Sequence, residues 1–137
     1  MKKILLSSML IVSCLAFGQK IKLKDDKVYV DDKECLSYKS KVSVRNSFFT
    51  LDGKPVFYID VIIVDSKLGV DGSYEKVSFA DSEEISTTRN EYSRKAIILQ
   101  LIEMGVIENC KFNPDRIKDY VKRYNQNFEK SIVRHSY

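Results

Sequence analysis

VYVDDKECLSYK, residues 28–39, sets two aspartates between two runs of strand-forming side chains. The same arrangement precedes it in KLKDDKVYV, residues 22–30, and returns in TLDGKPVFYID, residues 50–60. Asp-Asp and Asp-Gly tolerate positive φ, which a two-residue type I′ hairpin demands at both central positions. Asp25-Asp26, Asp31-Asp32 and Asp52-Gly53 therefore read as hairpin turns, with Lys27, Lys33 and Lys54 opening the return strands. The competing reading is a repeated site for a cation or a sugar. Calcium would need oxygen ligands at the spacing D-x-[DN]-x-[DN]-G. The repeats lack it, and the segment from Asp65 to Glu75 puts Lys67 and Gly69 where ligands would stand.

Outward from these turns, the first part of the chain reads as strand. Ile21–Lys24, Val28–Val30, Cys35–Lys39, Phe48–Leu51, Val56–Val64 and Tyr74–Ala80 are rich in β-branched and aromatic residues or alternate in polarity. The segment SKVSVRN, residues 40–46, reads as a polar gap. The period then changes. Thr88-Arg89-Asn90-Glu91 has the form of a helix capping box, followed by apolar residues at Ile97, Ile98, Leu101, Ile102 and Met104. Gly105 suits a left-handed helix stop, with Val106 packing back on Leu101. Asn113-Pro114 opens a second helix, whose stripe is Ile117, Tyr120, Val121, Tyr124 and Phe128. Strands first and helices after predict an α+β fold. It is an antiparallel β-meander of five or six strands followed by two C-terminal helices packed on one sheet face.

Residues 1–18 read as a cleaved signal peptide: Lys2 and Lys3, an apolar run from Ile4 to Phe17, and a cleavage site before Gln19. The alternative is a lipoprotein anchored through Cys14 in Ile11-Val12-Ser13-Cys14. Residues 19–137 then form a single α+β domain, long enough to bury a core without staples. With Lys2 and Lys3 gone, 21 basic side chains face 19 acidic ones, and that balance singles out no partner. The expected location is periplasmic or secreted, where Cys35 and Cys110 become a candidate disulfide pair.

The usual catalytic devices are not well formed. His135 is the only histidine, so a thiol enzyme would have to pair it with Cys35 or Cys110. One histidine and two distant cysteines do not make a zinc site, and no serine sits in G-x-S-x-G. Gly69 and Gly72 match no phosphate loop. Neither a metal nor a cofactor is expected. Asp60 stands in the middle of VFYIDVIIV, residues 56–64, on the same face as Tyr58. Its plain role is on a solvated sheet face, paired across strands with a lysine such as Lys76. Its functional role is ligand binding beside Tyr58. Acids dominate residues 71–91, where they would favour the start of the first helix, and bases dominate residues 111–137. Lys118, Lys122 and Arg123 on the last helix are thus further candidates for contact with an anionic partner.

These features favour a small exported, non-catalytic binding domain. Its partner would be a protein or envelope component, with no nucleic acid expected. The alternatives are an enzyme using dispersed carboxylates (Asp60) or a reactive cysteine, and a structural accessory protein that self-associates.

Overall fold

The computed structural model describes residues 19–41, 45–63, 73–89 and 93–128. The leader with Cys14, the 64–72 segment, Glu91 and His135 lie outside the described residues. Seven strands form one antiparallel sheet in which every strand pairs with its sequence neighbour. They are β1 (Ile21–Lys24), β2 (Lys27–Val30), β3 (Lys33–Lys41), β4 (Arg45–Phe49), β5 (Pro55–Ile63), β6 (Ser73–Phe79) and β7 (Ser82–Arg89). Helix α1 (Arg94–Glu103), a short hairpin of β8 (Ile107–Glu108) and β9 (Lys111–Phe112), a 3-10 turn (Pro114–Arg116) and helix α2 (Ile117–Tyr124) follow.

The first two aspartate pairs turn as their chemistry predicts. Asp25 and Asp26 have φ of 52° and 61°, and Asp31 and Asp32 have φ of 51° and 65°. Asp31 also accepts the Lys20 amide at 2.9 Å, and Lys22 reaches Asp32 at 3.1 Å. Lys22 accordingly holds the Asp32 carboxyl below the usual carboxylate range. The third pair differs from expectation. Thr50 pairs with Lys54 across a three-residue loop in which Gly53 alone has positive φ, at 92°. Glycine takes the left-handed position that closes a type I turn with a bulge, so Asp52 needs no special φ. Asp52 instead accepts the Thr50 hydroxyl.

The meander has seven strands rather than five or six, because SEEISTTR, residues 82–89, is a strand. Its polar composition hides it: the inward positions carry Ser86 and Thr88 instead of aliphatic residues. Thr88 is therefore a buried sheet residue opposite Glu75, and not a helix cap. The N-cap of α1 is Ser93, whose Oγ accepts the Ala96 amide at 3.2 Å. The acids of residues 75–84 belong to β6, β7 and their turn, and the first turn of α1 carries none. The polar gap is also shorter than expected, since β3 runs to Lys41 and β4 begins at Arg45.

The stop of α1 and the start of α2 follow the sequence closely, but α2 ends at Tyr124, short of Phe128, because Asn125 is extended. Gly105 adopts φ 77°, and Val106 donates to the Leu101 carbonyl at 2.9 Å. Asn113 Oδ1 accepts the Asp115 amide at 3.1 Å, and Pro114 opens the 3-10 turn that leads into α2. Ile97, Ile98 and Leu101 of α1, with Ile117, Tyr120 and Val121 of α2, join Val28, Leu36, Phe48, Phe57, Ile59, Val77 and Phe79 in one buried cluster. Phe48 and Phe57 stack at 4.4 Å between ring centres, and Phe79 meets Tyr120 edge-on at 6.1 Å.

The segment after α2 covers the open side of β7. Asn125 Oδ1 accepts from the Thr87 amide at 3.0 Å, the Gln126 amide donates to the Thr87 carbonyl at 2.8 Å, and the Phe128 amide donates to Thr87 Oγ1 at 2.9 Å. Phe128 then stacks on Tyr74 at 5.7 Å. This contact blunts one sheet edge, and the opposite edge strand is only four residues long and carries Lys22 and Lys24. Replacing Asn125 with alanine strands the amide and hydroxyl of Thr87. We expect a loss of about 1–2 kcal/mol, read from the urea midpoint at unchanged m-value.

Candidate functional site

β5 divides its side chains between the two sheet faces. Phe57 and Ile59 point into the core, and Tyr58 and Asp60 point away from it. Cross-strand register then assembles a row on the outer face: Lys41 opposite Arg45, Arg45 opposite Asp60, Asp60 opposite Lys76, and Lys76 opposite Thr87. Directly opposed side chains are about 5 Å apart, so the Asp60 carboxylate stands between Arg45 and Lys76, with Lys41 one strand beyond Arg45. Arg45 Nε lies 3.2 Å from Asp60 Oδ1, and the guanidinium sits 4.6 Å above the Tyr58 ring. Asp60 is 16% exposed and Arg45 is 52% exposed. A nearby pair repeats the chemistry, with the Lys39 ammonium 5.8 Å from the centre of the Phe49 ring.

The physical consequence is a division of labour. Asp60 is already engaged by Arg45 as an ion pair, although its buried Oδ1 has no hydrogen-bond partner among the described residues. The outward-facing donors belong to Arg45, and Lys39 and Lys41 stand exposed beside it. The expected cross-strand partner Lys76 does stand opposite Asp60, and Arg45 stands opposite it on the other side, in ion-pair contact. Asp60 is thus flanked by cations on both neighbouring strands, not by a second acid. A two-carboxylate acid–base arrangement would need such an acid.

Lys118, Lys122 and Arg123 are exposed on α2, and Arg123 lies 5.7 Å over the Tyr124 ring. The structure does not bring them to Tyr58 and Asp60. The opposite stripe of α2 places Tyr120 against Phe79 on the core side of the sheet, and the Asp60 row faces the other way.

Cys35 and Cys110 are joined, with Cα atoms 5.0 Å apart. Cys35 is the extra residue of a bulge, between Leu36 opposite Val28 and Glu34 opposite Tyr29. The bulge turns Cys35 inward beside Leu36, where both are buried. Cys110 sits with Asn109 in the β8–β9 turn, at φ 61° and 50° respectively. Bonded in this way, neither sulfur is a free thiolate.

A buried polar cluster escaped the sequence reading. Glu75 is 6% exposed, and its Oε2 has no hydrogen-bond partner among the described residues. Burial raises its carboxyl to about 7. Thr88 stands opposite it, Ser86 is wholly buried two residues along, and the Tyr120 phenol, itself pushed up by burial, lies close to Ser86. The signal was present: alternation that directs Val77 and Phe79 inward directs Glu75 inward as well. Gln100 is a second such residue, buried on α1 with its Oε1 likewise without a hydrogen-bond partner among the described residues.

No group of three or more metal-ligating side chains occurs among the described residues, and no helix there is long and apolar enough to cross a membrane. No protein-family model, curated protein or solved structure matches the chain.

Proposed function

We propose that this chain is an exported, non-catalytic binding domain that engages an anionic envelope component through the outer face of its sheet, with the two helices backing the opposite face. Support for export comes from the leader pattern of residues 1–18 and from the Cys35–Cys110 bridge, which persists in oxidising compartments. The observation that carries the binding reading is the outer-face group of exposed Lys39 and Lys41 beside Arg45, with Asp60 opposite Arg45. Lys39, Lys41 and Arg45 outnumber the Asp60 carboxylate that stands opposite Arg45, which leaves positive charge to attract a polyanion. The Tyr58 ring beneath the Arg45 guanidinium preorganises the donor that such a partner would meet.

Chromatography of the residue 19–137 chain on immobilised dextran sulfate tests this reading. Lys39→Glu with Lys41→Glu should weaken retention about tenfold, since each exposed ion pair contributes up to about 1 kcal/mol. The effect should fade as salt shortens the screening length. Lys122→Glu with Arg123→Glu should leave retention near the parent value. The reverse pattern would move the contact to α2 and sink the assignment to the sheet.

A further inference from the structure

At one end of the sheet, three turns meet around a cavity of about 410 Å³. That volume lies in the range of small-molecule sites, about 300–1,000 Å³. Its walls come from the β4–β5 loop, the β6–β7 turn and the β8–β9 hairpin, with Ile117 of α2 closing the inner side. The apolar lining has a specific origin in the strands. Phe48 pairs with Phe57 and Phe49 with Pro55, which leaves Val56 as the extra residue of a bulge. The bulge turns Val56 inward beside Phe57, and Val56 and Pro55 both line the cavity. Phe112 and Ile117 face them.

The polar lining is sparse and asymmetric. Lys54 and Lys111 border the space, and Asp81 is the only acid lining it among the described residues. Neither ammonium has an ion-pair partner among the described residues. The disulfide holds one wall: Cys110 lines the cavity and leads directly into Lys111 and Phe112, and its bond to Cys35 ties that hairpin to β3. An apolar interior with a net positive border matches a ligand that is apolar along its body and anionic at one end.

We propose that this cavity binds a small amphiphilic carboxylate, its chain against Val56, Phe112 and Ile117 and its carboxylate between Lys54 and Lys111. This site is separate from the outer-face row and does not depend on it. Octanoate and its neutral counterpart octanamide serve as probes of the oxidised residue 19–137 chain, followed by NMR titration. Octanoate should shift the Val56 and Phe112 signals saturably, and octanamide should bind about tenfold more weakly, the equivalent of one charge-assisted contact. Lys54→Glu with Lys111→Glu should abolish that preference while the thermal midpoint stays close to the parent value. Three results would overturn the proposal: equal affinity for the two probes, saturable shifts confined to the Tyr58 face, or no saturable shift at Val56 and Phe112 at millimolar octanoate.

Discussion

Reduction of the Cys35–Cys110 bridge should lower the unfolding free energy by about 4 kcal/mol, the chain-entropy value for a closed loop of 75 residues. For a domain of this size that is a large share of the total, since marginal stabilities run about 5–15 kcal/mol. The loop that the bridge closes runs from β3 through β7 and α1 to the β8–β9 turn. Without it, the unfolded chain regains the freedom to separate β3 from the β8–β9 hairpin. Urea unfolding with and without a reductant reads the difference directly, and Cys35→Ala with Cys110→Ala should reproduce the reduced value. The turn contributes separately. Cys110 has φ 61°, a conformation that costs an L-residue about 1–2 kcal/mol and glycine almost nothing. Cys35→Ala with Cys110→Gly should therefore recover about 1 kcal/mol relative to the double alanine variant. A urea midpoint insensitive to reductant would contradict the assignment.

Glu75→Gln should flatten the pH dependence of stability between about pH 4.5 and 7. The folded carboxyl titrates near 7 and the unfolded one near its ordinary value of 4.5. Below the lower value both states are protonated, and the folded protein keeps its full stability. As pH rises through the window, the unfolded chain releases its proton first, so stability falls and levels off above the folded pKa. At about 1.36 kcal/mol per unit the loss reaches at most about 3 kcal/mol, and any water reaching the carboxylate reduces it. Glutamine keeps the shape of the protonated acid and cannot ionise. The variant should match the parent at pH 4.5 and exceed it at pH 8 by up to about 3 kcal/mol. Parallel stability curves for the two proteins would show that Glu75 titrates alike in the folded and the unfolded chain, which would overturn the raised folded value.

How much of this was legible depends on the range over which each signal acts. The turns at Asp25-Asp26 and Asp31-Asp32 are local chemistry, as are the helix stop at Gly105 and the start at Asn113-Pro114, and all four were readable. β7 was not, because its strand character comes from pairing with β6 while its own side chains are hydroxyls and acids. The same tertiary override moved the helix start from Thr88 to Ser93. The β8–β9 hairpin has strands of two residues and turns on Asn109-Cys110, a pair with no strong turn signature. Asp60 and Tyr58 were placed correctly on the outer face. Their partner Arg45 was not named, because it lay in a stretch read as a gap and only cross-strand register brings it there. Cys35 turns inward through a bulge, which no alternation pattern announces.

The contact between Thr87 and Asn125 joins residues 38 apart, and that interval has a temporal meaning. Each earlier strand of the meander pairs with its sequence neighbour, so its partner is available as soon as the next strand has been synthesised. The sheet's last row of amides stays uncommitted until the chain beyond Tyr124 arrives. A polypeptide interrupted in that interval would be nearly complete yet would offer a ready template to a second unfinished copy. The few residues after α2 thus act as a completion signal, making solitary existence safe only for the finished molecule.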